Sequence, residues 1–328
     1  MYYLIRKVFN PEIFQGKYKK KNYFEGWYFK NIDNKKKNAL AVIPGISYDK
    51  SNLNAHAFIQ ILNMNDNRHH YFKYDLSSFK FNEQYFEIEI EKNYFSAKKM
   101  ILEIESEDIN ILSHLSFENI VSYPKKLLWP GIMGPFSFVP FMECYHGIVN
   151  IHHDVIGQIK YNDAELDFSG GYGYIEKDWG RSFPSAWIWL QSNHFDEEGI
   201  TLMFSVAKIP WFAKEFTAFI SFLRFEDKLI RFATYTKAKI KKLNLYNNNM
   251  QITLEDSKYI MELHVFGNTQ GSLKAPKDGQ MEREILESIN AAVAVELTDK
   301  KGDILYKGLG TNTGLEIVCN EYDFHFIN

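Results

Sequence analysis

The chain has 328 residues, of which 45% are hydrophobic and 24% are charged. That length suits two domains of about 150 residues each, and the composition is typical of a soluble globular protein. A net charge of -3 argues against a general nucleic-acid-binding protein, which needs a basic excess. The apolar runs are shorter than the roughly 20 residues of a membrane-spanning helix, and the first residues lack a signal-peptide core. We therefore predict a cytoplasmic protein with no nucleic-acid partner and no transmembrane segment.

Aromatic residues make up 16% of the chain, and such residues favour β structure. The first predicted strand is Tyr23–Asn31, in which Glu25, Trp27 and Phe29 share one face. Further short strands follow through the first half, at Ala39–Ile46, Ala55–Met64, Tyr71–Phe81, Gln84–Glu91, Tyr94–Ser106 and Ile109–Glu118. Short strands at nearly regular spacing predict an antiparallel sandwich or barrel.

A Pro- and Gly-rich stretch at Val121–Phe141 predicts a connection rather than a strand. Its apolar side chains are expected to pack across a barrel mouth or between two domains. The next strand, Glu143–Lys160, carries four metal-ligating or amide side chains that alternation places on one face: His146, Asn150, His152 and Asp154. Because the sequence has neither a CxxC nor an HExxH spacing, we predict no metal and no cofactor.

The segment Gly170–Phe195 has the most unusual composition in the chain. Alternation places one set of polar and aromatic side chains on a single strand face, namely Tyr172, Tyr174, Glu176 and Asp178. After a corner at Gly180–Pro184, a second strand presents Trp187, Trp189, Gln191 and Asn193 on one face. Aromatic walls with a few polar groups are typical of a small-molecule pocket. An aromatic cluster with a salt bridge that only stabilises the sheet is the alternative interpretation.

The second half repeats the pattern of short strands, at Gly199–Lys208, Phe216–Phe225, Leu229–Thr236, Met250–Glu255 and Ser257–Phe266. The segment Met281–Asn290 fits a helix or a strand, and we predict a strand. A hairpin follows at Val293–Thr298 and Ile304–Gly308. Each half opens with an acidic, Trp-rich strand, which indicates a faint internal duplication. We predict an all-β protein with little helix, built from two antiparallel barrels or sandwiches at 1–170 and 171–328.

Three segments resemble the tocopherol cyclase family. They are EKDWGRSFPSAWIWLQSNHF at Glu176–Phe195, FEGWYFK at Phe24–Lys30, and NAAVAVELTDKKGDILYKGLGTNT at Asn290–Thr313. The family carries E-K-[ND]-W-G, then F-P, then W-x-W-x-Q, with F-E-G-W-Y-F upstream. The resemblance implies tandem lipocalin-like barrels, shared more remotely with carotenoid hydratases and certain pericyclic-reaction enzymes. The chain departs from the plant cyclases in being shorter and in having Asp178 where they commonly carry Asn.

The resemblance also implies an acid-catalysed ring closure, in which a proton adds to a prenyl double bond and a phenol oxygen captures the resulting cation. That chemistry needs a carboxylic acid in a desolvated pocket and aromatic faces near the cation. The predicted acid is Glu176, with Asp178 second. The predicted ligand-binding residues are Trp27, Tyr174, Trp179, Trp187, Trp189, Gln191 and Asn193.

Three carboxylates can be distinguished by their neighbours in sequence. Glu25 is expected to form a structural ion pair with Lys177 or Arg181 across the predicted domain boundary. Glu176 shares its strand face with tyrosines, which is expected to raise its pKa, whereas Asp178 lies next to a turn and nearer to water.

A non-catalytic lipocalin-like carrier of a lipophilic small molecule remains the alternative function, and an interaction protein without a ligand is a third. For both the enzyme and the carrier, the predicted partner is a lipophilic small molecule, such as an isoprenoid or a quinol. A peripheral contact with a membrane is compatible with the sequence. The sequence does not predict the identity of the ligand or the oligomeric state.

Overall fold

The computed structural model describes residues 2–63, 68–211, 214–268, 270–320 and 323–324. Antiparallel strands dominate it, which confirms the predicted all-β class. Within these ranges one α-helix forms, α1 at Tyr2–Phe9, where the sequence analysis predicted no element. Short 3-10 turns lie at Leu76–Ser78, Gly134–Phe138 and Thr234–Thr236. Among the described residues, no helix has the length and apolar character needed to cross a membrane.

The strands of the first part of the chain are β1 Tyr23–Ile32, β2 Ala39–Tyr48, β3 His56–Asn63, β4 His69–Tyr74, β5 Phe79–Phe81, β6 Glu87–Ile90, β7 Asn93–Ser96, β8 Lys99–Glu105, β9 Asn110–Ser122, β10 Cys144–Tyr161, β11 Ala164–Asp167 and β12 Gly171–Gly180. They form one antiparallel sheet in the order β4-β3-β2-β1-β12-β10-β9-β8-β7-β6-β5, with β11 paired to β10. The order matters for function because it places β12 between β1 and β10.

The strands of the second part are β13 Trp187–Ser192, β14 Thr201–Trp211, β15 Lys214–Phe225, β16 Lys228–Ala233, β17 Lys239–Tyr246, β18 Asn249–Glu255, β19 Tyr259–Phe266, β20 Gly271–Lys277, β21 Gln280–Asp299 and β22 Ile304–Val318. Their sheet has the order β16-β15-β14-β13-β22-β21-β19-β18-β17, with β20 paired to β21. β12 and β13 therefore belong to different sheets, although only a short corner separates them in sequence.

The chain divides into two compact units. The first comprises Met1–Phe183 and Leu273–Glu284, and the second comprises Pro184–Ser272 and Ile285–Asn328. Each unit has its own hydrophobic core. The domain boundary at 170/171 inferred from the sequence stays a prediction.

Most predicted strands are present, with differences at their ends. The ambiguous segment Met281–Asn290 is strand, as part of β21, and the predicted hairpin forms between β21 and β22. The predicted Ala55–Met64 strand corresponds to β3, and Met64 lies outside the described residues. Tyr94–Ser106 is interrupted by a turn and forms two strands, β7 and β8. Three strands, β11, β17 and β20, were not predicted from the sequence.

Aromatic side chains fill the core of the first unit. The Trp27 and Phe86 rings stack with centroids 5.5 Å apart, and Phe29 contacts the rings of Phe95 and Phe117. Such ring pairs stabilise a core beyond the area that they bury. β1 is buried on both faces, so its second face, which includes Tyr28, is shielded from water although it points away from this core.

A buried polar group interrupts that core. The His153 ring is fully buried, 4.0 Å from the Phe117 ring centroid, and its two nitrogens contact the amides of Asn31 and Asn150 at 3.4 and 3.3 Å. Burial holds the pKa of His153 well below its usual value, and the neighbouring His152 lowers it further. The imidazole is therefore neutral in the folded protein.

We expect His153 to make folding stability sensitive to acid. The unfolded state takes up this proton near pH 6.5 while the folded state does not, so stability falls as pH decreases below that value, by up to about 1.4 kcal/mol per pH unit. Urea unfolding at a series of pH values from neutral to acid would measure the slope. The slope is proportional to the difference in bound protons between the unfolded and folded states. His153→Gln should reduce that difference by close to one proton, whereas His114→Gln, at an exposed position, should leave it unchanged. Equal slopes in wild type and His153→Gln would contradict the prediction.

Candidate active site

The pairing of β12 with its two neighbours assembles a group of polar side chains. In the β10–β12 register His146 lies opposite Asp178 and Ile148 opposite Glu176, and in the β1–β12 register Tyr28 lies opposite Glu176. Directly opposed residues of an antiparallel pair project to the same face. This face is the one that points away from the aromatic core of the first unit.

Four titratable groups form a connected series on this face, which we call the acid chain: Tyr174, Glu176, His146 and Asp178. The Tyr174 hydroxyl donates a hydrogen bond to Glu176 Oε2 at 2.6 Å. The same carboxylate oxygen lies 3.5 Å from His146 Nε2. His146 Nδ1 donates to Asp178 Oδ1 at 2.9 Å. The imidazole thus lies between two carboxylates, hydrogen-bonded to Asp178 and within 3.5 Å of Glu176, which is an arrangement suited to proton transfer.

Exposure to solvent increases along the acid chain. Tyr174 is fully buried, and the exposed fraction of the side chain rises from 6% at Glu176 to 14% at His146 and 25% at Asp178. This confirms the prediction that Asp178 has easier access to water than Glu176. Asp178 is therefore the solvent-accessible end of the acid chain, and Glu176 is the shielded end.

Two neutral groups flank the carboxylates. Burial holds the pKa of the Tyr174 phenol well above its usual value, and the nearby Glu176 charge and hydrogen bond raise it further. Desolvation, assisted by the Asp178 charge, likewise raises the pKa of the Cys144 thiol, whose Sγ donates to Asp178 Oδ1 at 3.8 Å. Both groups therefore act as hydrogen-bond donors at neutral pH rather than as anions.

Three members of the acid chain could also hold a metal ion. One ligand atom from each of His146, Glu176 and Asp178 lies within 4.8 Å of the others. A histidine nitrogen and two carboxylate oxygens are ligands that a divalent ion such as Zn²⁺ accepts. These same lone pairs carry the protons of the acid chain, so metal binding and proton transfer would compete.

The predicted structural ion pair of Glu25 is confirmed, and both partners lie in the first unit. Glu25 and Lys177 are fully buried and their charged atoms are 2.5 Å apart. Lys177 Nζ also donates to the carbonyls of Pro11 and Ile13 at 2.8 and 2.6 Å. Glu25 in turn accepts a hydrogen bond from the Gln15 backbone amide at 2.8 Å.

Two predicted ligand-binding tryptophans lie on the core side of the sheet. Trp27 belongs to the aromatic core, and Trp179 stacks on Tyr145 with centroids 5.5 Å apart. Lys177 Nζ sits 4.7 Å from each indole centroid. Both rings therefore face away from Glu176. On its own face, Tyr28 lies opposite Glu176 in the β1–β12 register and Tyr174 is hydrogen-bonded to it.

The other predicted ligand-binding residues form a separate group in the second unit. Trp187, Trp189 and Gln191 are buried on the face of β13 opposite to Ile188 and Leu190, which belong to the core of that unit. Trp187 Nε1 donates to Glu316 Oε2 at 2.5 Å, and Glu316 is paired across the strands with Trp189 and with the buried Glu287. Asn193 follows this strand, with Oδ1 3.0 Å from His194 Nδ1. Glu287 and Glu316 were not predicted.

His146 is the member of the acid chain that was not predicted as a site residue from the sequence. The predicted shared face of β10 holds for His146, His152 and Asp154, but Asn150 lies on the core face, opposite Ile175. Register shifts on both sides of Asn150 produce this change, because each bulge inserts a residue and reverses the alternation. No motif links His146 to Glu176, since strand register alone brings them together.

The fold and the site define a class of protein: tandem lipocalin-like antiparallel β units, one of which carries a partly buried carboxyl–histidine cluster on a sheet face. The sequence model of the tocopherol cyclase-like family matches residues 114–318, more than half of the chain. The chain therefore belongs to the tocopherol cyclase-like family. The match includes β10 and β12 and so contains the whole acid chain.

Two solved structures are similar to this chain at low sequence identity. CghA, crystallised with Sch210972, is 10% identical, with a TM-score of 0.53 over 90% of this chain and 88% of that one. Kievitone hydratase from Nectria haematococca is 10% identical, with a TM-score of 0.47 over 93% of each chain. At such identities the likeness to CghA is evidence for the fold and not for a shared substrate.

Proposed function

We infer that the protein binds a hydrophobic prenylated or quinol-type ligand and catalyses proton-initiated ring closure or isomerisation. The observation that carries this proposal is the acid chain, in which the shielded Glu176 carboxyl is linked through His146 to the more exposed Asp178. Membership of the tocopherol cyclase-like family supports the same reaction class. Isomerase activity and an isoprenoid ligand are part of this proposal.

In the proposed reaction Glu176 loses one proton in the first step and regains one in the last. Glu176 gives its proton to one carbon of a prenyl double bond, forming a C–H bond and leaving a tertiary cation on the other carbon. A hydroxyl oxygen of the ligand forms the C–O bond, and its proton returns to the Glu176 carboxylate. Atoms and charge therefore balance, and the product is an isomer of the substrate. His146 and Asp178 restore the proton from solvent when it is lost.

The surroundings of Glu176 fit a cationic intermediate. Tyr28 and Tyr174 lie on its face of the sheet, and an aromatic ring stabilises a desolvated cation by about 0.5–2 kcal/mol. The Tyr174 hydroxyl also fixes the orientation of Glu176 Oε2. We propose that these two tyrosines supply the aromatic faces that stabilise the cation.

A carrier without catalysis is the second candidate function. It is favoured by the buried aromatic and amide surface of β13, formed by Trp187, Trp189 and Gln191. Such a surface can hold an apolar molecule with one polar end. In that case the ligand would copurify unchanged, which mass spectrometry of the protein from its native host would reveal.

The proposed reaction predicts a defined response to metals. A prenylated hydroquinone incubated with the protein should give the cyclised isomer at the same rate with and without a chelator. Added Zn²⁺ should inhibit, because His146, Glu176 and Asp178 would ligate it with the lone pairs that carry protons. Chromatographic separation of the two isomers provides the measurement. Loss of turnover on chelation, restored by Zn²⁺, would overturn the acid-chain proposal in favour of a metal-dependent site.

A further inference from the structure

The connection between β9 and β10 exposes an unusual apolar turn. Lys126 and Trp129 exchange two backbone hydrogen bonds of 2.9 Å, which leaves Leu127 and Leu128 as the two residues at the tip of a tight turn. Their exposed fractions are 76% and 72%. Residues of this kind are rare at such tips, where Gly, Asn and Asp are favoured. Two adjacent exposed leucines at a turn are therefore a candidate interaction surface.

The end of the same connection exposes a third apolar side chain. Phe141 is 98% exposed and adopts a left-handed backbone conformation with φ of 63°. Such a conformation is unfavourable for a bulky residue and is retained in proteins mainly where function requires it. Phe138, which is also exposed, contacts the Phe9 ring at 6.1 Å between centroids.

Both ends of the connection contact the same short N-terminal segment. Lys125 Nζ pairs with Glu12 at 2.6 Å, and Phe138 packs on Phe9. The exposed turn and the exposed phenylalanines are thus held near residues 9–12. The connection also reaches the acid chain, because the His146 backbone amide donates to Met133 Sδ at 3.1 Å.

We propose that Leu127, Leu128 and Phe141 insert into the surface of a bilayer that contains anionic lipid. The charges favour this partner, since residues 119–142 contain no acidic residue and Lys126 directly precedes the two leucines, whereas the charge of Lys125 is paired with Glu12. Apolar side chains enter the headgroup boundary while lysines bind anionic headgroups and a tryptophan, here Trp129, lies at the interface. This contact would give a lipophilic ligand a route from the bilayer to the protein. The inference does not depend on the proposed reaction.

Sedimentation with phosphatidylcholine vesicles, with and without phosphatidylglycerol, tests the proposal. We expect the wild-type protein to bind the anionic vesicles, and Leu127→Ser/Leu128→Ser to reduce partitioning by about tenfold or more. Phe141→Ser should also weaken binding, and Lys126→Gln should do so only for anionic vesicles. The matched control is Leu53→Ser, at a position that is 86% exposed in another loop, and it should bind like wild type.

Two outcomes would overturn the proposal. One is wild-type protein that remains in the supernatant with both vesicle types. The other is equal binding by wild type and Leu127→Ser/Leu128→Ser, with a melting temperature showing that the variant is folded. If the wild type self-associates instead, and the leucine variant does not, the turn is a protein contact and the membrane assignment is wrong. Turnover of a detergent-solubilised substrate should be unchanged in every variant, which separates this result from a failure of the proposed reaction.

Discussion

Replacement of Glu176 by Gln is expected to lower turnover by a factor of about 10² to 10⁴, the usual contribution of a positioned general acid. Gln has nearly the same shape and cannot donate a proton to an alkene carbon. Its amide oxygen can still accept the hydrogen bond that the Tyr174 hydroxyl now donates to Glu176. Ligand affinity and melting temperature should therefore remain close to those of the wild type.

The measurement compares isomer formation, ligand binding and thermal unfolding for wild type, Glu176→Gln and a control. Glu105→Gln is a suitable control, because Glu105 is an exposed carboxylate of the same unit, at the end of β8, and should leave all three quantities unchanged. Full turnover in Glu176→Gln would remove Glu176 from the mechanism. Bound ligand without turnover in both the wild type and the variant would favour the carrier.

The sequence predicted the strand faces wherever alternation was unbroken. Tyr174 and Glu176 were placed together and Lys177 on the opposite face, and the Tyr174–Glu176 hydrogen bond and the Glu25–Lys177 pair confirm both assignments. These results follow because successive side chains of a single strand alternate between its two faces, with a period of two residues. Local sequence is sufficient for predictions of this kind.

What the sequence could not predict depends on strand pairing and on which face is the core. His146 reaches Glu176 only through the β10–β12 register, which leaves no local signal in the sequence. β1 and β12 are buried on both faces, so the pattern of apolar residues could not show that Trp27 and Trp179 face the aromatic core. The chain passes from one sheet to the other at the corner after β12, and no local signal marks this change. Trp187 therefore belongs to a different sheet from the strand that carries Glu176.

The second large effect is expected at the Glu25–Lys177 ion pair, where Glu25→Gln should lower the free energy of unfolding by roughly 3–5 kcal/mol. Both groups are fully buried, and removing the carboxylate leaves an ammonium group without its counter-charge. Burial already lowers the pKa of Lys177 to about 8, an effect that Glu25 partly offsets. Gln keeps only one of the two carboxylate oxygens that accept the hydrogen bond from the Gln15 backbone amide, so the segment before β1 should loosen.

Urea unfolding of Glu25→Gln, Lys177→Met and the double variant measures the coupling between the two side chains. We expect the double variant to be clearly more stable than the sum of the single effects predicts, because it contains no unpaired buried charge. The matched control is Glu89→Gln, which breaks the exposed Lys80–Glu89 pair of the same unit and should cost less than about 1 kcal/mol. If Glu25→Gln kept its stability but lost turnover, while Glu176→Gln unfolded the protein, the structural and catalytic roles of the two carboxylates would have to be exchanged.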